Sequence, residues 1–155
     1  MSPKSLLRLP AATSPLEELT TGTFQRILDD READPAQADR LLLCSGKIYY
    51  ELVEERKKRG SSAAIVRFEE LYPWHPELVG ELVQRWSKAK DVVWVQDEPG
   101  NMGAAFFAAP RLERTLGRPV RVVARDDSAS PATGSHKAHA LEQDRILRAT
   151  FEGAS

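Results

Sequence analysis

One cysteine in 155 residues, Cys44, has no second thiol in the chain to pair with. An intrachain disulfide framework is therefore excluded, and a reducing, cytoplasmic setting is expected. Excess charge of one sign is missing as well: 22 Lys and Arg stand against 23 Asp and Glu, a formal net charge of −1. So even a balance leaves no electrostatic footprint for nucleic acid or an anionic membrane, and neither is expected as a partner. Long apolar runs are also absent. Leu41–Cys44 and Ala104–Ala109 are among the longest, far below the roughly 20 residues that a membrane helix needs. Met1–Arg8 carries Lys4 and Arg8 but no apolar core, so no secretory leader is expected.

What is present is ordinary for one globular domain. The chain is 41% hydrophobic and 29% charged, and its length suits a single core. Residues 1–22 show no helical or strand period; Pro3, Pro10 and Pro15 interrupt scattered leucines at 6, 7, 9, 16 and 19. They are expected to form an extended interdomain arm lying against something else. Residues 23–155 are expected to be the domain proper.

Within that domain, strands alternate with helices. Thr23–Leu28 reads as a short strand, and Leu41–Cys44 as a buried one. A helix with Ile48, Leu52 and Val53 on one side follows and stops at Gly60. Ala63–Phe68 is the next strand, and Leu78, Val79, Leu82, Val83 and Trp86 stripe the helix after it. Asp91–Gln96 reads as a strand, then a helix over Ala104–Leu116, capped by Asn101 and ended by Gly117. Pro119–Ala124 is the last strand, and a final helix runs from about Ser135 to Phe151. This rhythm predicts βαβ units and a mostly parallel sheet between helices. The final helix shows two apolar stripes. Ala138, Leu141, Ile146 and Ala149 are assigned to the core, whereas Ala140, Leu147 and Phe151 are assigned to a neighbouring body.

Four places invite a chemical reading. Cys44 ends a strand before a helix, as in a nucleophile elbow, but that turn needs small flanking residues and Leu42 fails the test. A small hydrophobe ending a buried strand is the better reading. Gly46-Lys47 lacks the glycine spacing of a phosphate loop. His136 and His139, with Glu142 one turn on, could reach a metal but lack further nearby ligands; polar residues of a first helical turn are preferred. Asp97 and Glu98, directly after a strand and before Pro99-Gly100-Asn101, hold the most site-like position. Lys47 is the nearest expected partner, and two carboxylates there should repel phosphate more than a helix N-terminus attracts it.

Taken together, five blocks resemble one family. They are residues 2–8, Leu42-Leu43-Cys44-Ser45-Gly46-Lys47-Ile48-Tyr49-Tyr50-Glu51-Leu52, Ile65 to Pro73, Trp94 to Gly103, and Ser128 through His139 with Glu142-Gln143. In order and in spacing they are similar to the C-terminal region of the decarboxylating component of 2-oxoglutarate dehydrogenase. The resemblance implies a transketolase C-terminal-like α/β fold: three layers, α/β/α, around a five-stranded mixed sheet whose first strand is antiparallel. It also implies that the sheet order reverses between the strands ending at Cys44 and Gln96, so that the Lys47 and Asp97–Asn101 loops flank the switch point.

In that family the full enzyme decarboxylates 2-oxoglutarate with thiamine diphosphate and Mg2+ and succinylates the lipoyl group of a succinyltransferase component. The cofactor lies between preceding domains that carry a Gly-Asp-Gly motif followed by Asn. This chain has no Gly-Asp-Gly, so no catalytic, cofactor or metal residue is assigned to it and the chain alone is expected to be inactive. The implied partners are the preceding thiamine-binding domains and a homodimer mate. The residues proposed to serve contact or crevice roles are Lys47, Asp97, Glu98, Asn101, His136, His139, Leu147 and Phe151. Some branches bind an acyl-CoA effector beside the first strand; Glu69, Glu70 and Glu77, against only Arg26 and His75, argue that such a site is lost here. A related 2-oxoadipate enzyme and a free-standing scaffold module are the alternatives.

Overall fold

The computed structural model describes residues 3–152. The outermost residues of the expected arm and domain, 1–2 and 153–155, lie outside the described residues.

Five strands form one sheet: β1 (Ile27–Leu28), β2 (Arg40–Cys44), β3 (Ala64–Phe68), β4 (Asp91–Pro99) and β5 (Arg121–Arg125). Their order is β1-β3-β2-β4-β5, with β1 antiparallel and the others parallel. Helices α2 (Ile48–Arg59), α3 (Pro76–Arg85), α4 (Ala105–Leu116) and α5 (His136–Glu152) join and cover the strands. The fold is the expected three-layer one.

Side chains alternate across a strand, so each run divides between two cores. Leu41, Leu43, Ala64, Val66, Phe68, Val92 and Trp94 meet Val79, Leu82 and Trp86 from the α3 segment and Ala105, Ala108 and Leu112 from α4. Leu42, Cys44, Ile65, Val93, Val95 and Val123 meet Ile48 and Leu52 of α2 and Ile146 of α5. Both faces are covered, which is why the runs read as apolar rather than alternating. α2 and α4 end immediately before Gly60 and Gly117, as the sequence predicted. Pro110 is accommodated inside α4; it has no N–H to give to the carbonyl of Phe106 four residues back.

Three local expectations are corrected. The first strand is two residues long, not six: β1 pairs only Ile27 with Phe68 and Leu28 with Arg67, and residues 23–26 are exposed. The arm is not extended either. It winds into short 3-10 turns at Lys4–Arg8 and Pro10–Ala12 and a one-turn α1 (Leu16–Thr20), none with a buried residue.

The largest correction is to α5. Its inward face carries Gln143, Ile146 and Thr150, and Leu147 and Phe151 pack partly buried on the same core. Leu141, assigned inward from the sequence, is 62% exposed. The reason is that two polar residues occupy the true inner stripe, each with a hydrogen-bond partner. Thr150 donates to the Ile146 carbonyl at 2.8 Å and Gln143 donates to Asp97 at 2.9 Å. Counting apolar residues alone rotated the helix.

Candidate functional site: the crevice at the sheet's switch point

β2 and β4 are neighbours, and their connections leave in opposite directions, to β3 on one side and β5 on the other. Their carboxyl ends therefore open a crevice, where open α/β sheets place ligands. It has a volume of about 530 Å³ and is lined by Gly46, Lys47, Asp97, Glu98, Arg125 and His139, among others. Pro3 and Leu6 of the arm also line it.

Lys47 Nζ lies 3.0 Å from Asp97 Oδ2 and 3.2 Å from Glu51 Oε1. Burial alone would lower the lysine's pKa, but Asp97 and then Glu51 outweigh it and hold it above its ordinary value. Asp97 is in turn held by Gln143, so α5 is tied to the tip of β4. Arg125, at the end of β5, is more fully engaged. Its Nε donates to the Asp97 carbonyl at 2.6 Å, Nη2 to the Pro131 carbonyl at 2.6 Å, and Nη1 to Thr133 Oγ1 at 3.0 Å. Glu142 accepts from Thr133 at 2.5 Å and faces Arg125 at 3.4 Å. The Thr133 hydroxyl first, and then the Arg125 charge, hold Glu142 below its ordinary pKa. Lys47 and Arg125 are thus both engaged by groups of the chain itself.

Asn101 does not cap α4. Its side chain clamps the loop after β5, donating to the Ser128 carbonyl at 3.0 Å and accepting from the Ser128 N–H at 3.1 Å. Gln96, which the sequence reading missed, supplies the cap. Its Oε1 accepts from the Ala105 N–H at 2.9 Å, and its Nε2 donates to the Met102 and Pro99 carbonyls at 2.8 and 3.1 Å. The signal was a polar residue directly after four apolar strand residues; once buried, it must find partners. Gly103, at φ +71°, lets the chain pass this amide: an added Cβ would sit 2.9 Å from Gln96 Nε2 and 3.0 Å from the Glu98 Cβ.

The other candidates separate. His139 borders the crevice, while His136 begins α5 in an exposed position. Glu142 is committed to Thr133 and Arg125. Among the described residues no group of three His, Cys, Asp or Glu side chains could hold a metal ion. Cys44 is fully buried, its Sγ 3.7 Å from the Val66 carbonyl, and burial drives its pKa far above the ordinary thiol value. It is no elbow nucleophile. Leu147 and Phe151 are half-buried and pack against the core between the sheet, α2 and α5. Near β1, Arg26 contacts Glu70 at 2.5 Å, and His75 lies 3.3 Å from Glu70 and 3.6 Å from Glu77. Among the described residues no helix is long and apolar enough to cross a membrane.

Known proteins share the fold and much of the sequence. A solved split gene transketolase, described as an inactive beta4 tetramer, superposes with a TM-score of 0.55 at 19% identity. That match covers 75% of this chain and 38% of the other, and it shows the fold alone. The 2-oxoadipate dehydrogenase complex component E1 of Xenopus laevis is 44% identical over 154 residues, 97% of this chain and 17% of that protein. The 2-oxoglutarate dehydrogenase E1 component of Cupriavidus necator is 39% identical over 155 residues, 97% of this chain and 16% of that protein. The chain thus spans about one-sixth of the length of these curated relatives. The family described as 2-oxoglutarate dehydrogenase C-terminal matches residues 13–151. On that match, carried by the fold and by nearly the whole chain, this protein belongs to the 2-oxoglutarate dehydrogenase C-terminal family.

Proposed function

We propose that the chain serves as the non-catalytic C-terminal domain of a 2-oxo acid dehydrogenase E1 component. Within that component it buttresses the preceding domains and supports a homodimer. The full enzyme would decarboxylate 2-oxoglutarate as a step of the tricarboxylic acid cycle and pass the succinyl group to the lipoyl group of its partner, in the cytoplasm. Relatives named for 2-oxoglutarate and for 2-oxoadipate match over the same stretch, and the same structural role serves either substrate.

The observation that supports this reading is the state of the crevice. At the position where such sheets bind ligands, Lys47 is spent on Asp97 and Glu51, and Arg125 on Asp97, Pro131 and Thr133. A diphosphate would have to displace those carboxylates and carbonyls, so the donor set does not fit thiamine diphosphate. The cofactor and its Mg2+ are assigned to the preceding domains. For the same reason the site should refuse phosphate or nucleotide, which would otherwise raise the melting temperature by mass action.

Calorimetric titration of the purified chain with thiamine diphosphate and Mg2+ tests this. No binding and no 2-oxoglutarate decarboxylation are expected. Stoichiometric, Mg2+-dependent binding would overturn the assignment.

A further inference from the structure

Leu147 and Phe151, first assigned to a neighbour, are half-buried against this chain's own core and offer a docking domain little surface. A run of aromatic rings marks another surface. It starts in the core, where Phe68 meets buried Trp94 edge-on with centroids 5.8 Å apart. Phe68 stacks on Trp74 at 5.6 Å with planes 7° apart, Trp74 meets Phe107 at 6.0 Å, and Phe107 meets Tyr72 at 6.5 Å. Arg111 closes the far side, its guanidinium 3.7 Å from the Phe107 centroid. Tyr72 is 81% exposed, and Phe106, next to Phe107 on α4, is 69% exposed. Tyr72 is backed through half-buried Phe107 and Trp74 by buried Phe68 and Trp94, so it is held in place before any partner arrives and little of its side-chain entropy remains to be lost on contact. Tyr, Trp, Phe and Arg are also the residues enriched at interface centres.

The Tyr72 loop follows β3, and α4, whose second residue is Phe106, starts after β4, so both stand at the carboxyl edge of the sheet. This is the end at which Pro3 and Leu6 of the arm border the crevice. The relatives are about six times as long as this chain, and the matching family is a C-terminal one. A body that approaches through the arm meets this edge.

We propose that Tyr72, supported by Phe107, Trp74 and Arg111, and the exposed Phe106 at the start of α4 form the hot spot on which the preceding region of the E1 component docks. The proposal rests on the E1 reading above and names the surface that reading requires. The occupant presents an apolar face to the two rings.

The test co-expresses the tagged 155-residue chain with a Cupriavidus necator E1 polypeptide that stops where the matched stretch begins. Co-purification and the dissociation rate are the readouts. The wild-type chain should co-purify, and the Tyr72→Ser/Phe106→Ser variant should dissociate at least about tenfold faster, with its own urea midpoint unchanged. Leu141→Ser, an exposed change on α5, should dissociate like wild type. Equal dissociation of the aromatic variant and wild type would overturn the hot spot and leave the E1 reading standing. Failure of the wild-type chain to co-purify would overturn both. A chain that self-associates in sedimentation, with the aromatic variant monomeric, would give the surface to a second copy and overturn the proposed occupant.

Discussion

The two edges of the sheet solve different problems. At the amino edge, Asp91 is shared by Arg40 at 2.9 Å and Arg121 at 3.0 Å. The same two arginines reach the last turn of α5: Arg40 donates to the Thr150 carbonyl at 2.6 Å and Arg121 to the Ala149 carbonyl at 3.0 Å. Helix C-terminal carbonyls lack intrahelical donors and carry partial negative charge, so two cations there both satisfy and neutralise them. Arg118 adds bonds to the Ala89 and Lys90 carbonyls, both at 2.8 Å. That edge is closed by the chain itself. The carboxyl edge instead carries exposed aromatic rings beside its paired charges, Tyr72 on the loop after β3 and Phe106 in the first turn of α4. One end is closed by ion pairs and by hydrogen bonds to helix carbonyls, and the other keeps exposed aromatic rings.

The sharpest way to break this picture is through α5, which spans both edges. Ile146→Ala empties a fully packed position and should cost about 2–5 kcal/mol in a urea melt, whereas Leu141→Ala should stay within about 0.5 kcal/mol. The reverse order would mean that the helix faces are wrong. Asp91→Asn removes the carboxylate shared by two half-buried arginines at the amino edge and should cost about 1.5–3 kcal/mol. Gln96→Leu at the carboxyl edge leaves the Ala105 N–H and two carbonyls without their partner, at a cost of roughly 1–3 kcal/mol. An unchanged melt would show that the amide is not the cap. Lys47→Met breaks an ion pair that is partly screened by solvent and should cost no more than about 1 kcal/mol.

The smallest effect is one of pH. Glu142 has its pKa lowered in the folded chain, so its contribution is present above 4.5, the ordinary value, and is lost as pH falls through the depressed folded value. Glu142→Gln should therefore flatten the acid limb of the stability curve and leave the alkaline limb alone. Lys47, with its pKa raised above 10.5, acts oppositely. Its contribution is intact below that value and fades as pH rises through the folded one.

Much of this molecule is legible in its amino acids. β2 to β5 announce themselves as apolar runs bounded by glycine, proline or charge, and the glycines at 60 and 117 mark two helix ends. The Lys47–Asp97 pairing follows once β2 and β4 are known to be neighbours. What stays hidden has a common cause. Gln96, Gln143 and Thr150 are polar side chains placed inside, and their burial depends on partners distant in sequence or on carbonyls that only the folded helix offers. A periodicity argument assigns such residues to solvent, which rotated α5 and gave the α4 cap to Asn101. β1 is short because its pairing ends with β3, a tertiary fact. The exposed aromatic series could not be separated from core in the sequence, since Phe68 and Tyr72 look equally apolar there.

On the proposed reading, this chain supplies structure and contact to chemistry housed elsewhere. The most direct measurement is 2-oxoglutarate decarboxylation, with thiamine diphosphate and Mg2+, by the truncated Cupriavidus necator E1 polypeptide with and without the 155-residue chain. No turnover is expected from the chain alone, and a rise in turnover is expected when the two are combined. Turnover by the chain alone, or the same rate from the truncated polypeptide whether or not the chain is present, would contradict that reading.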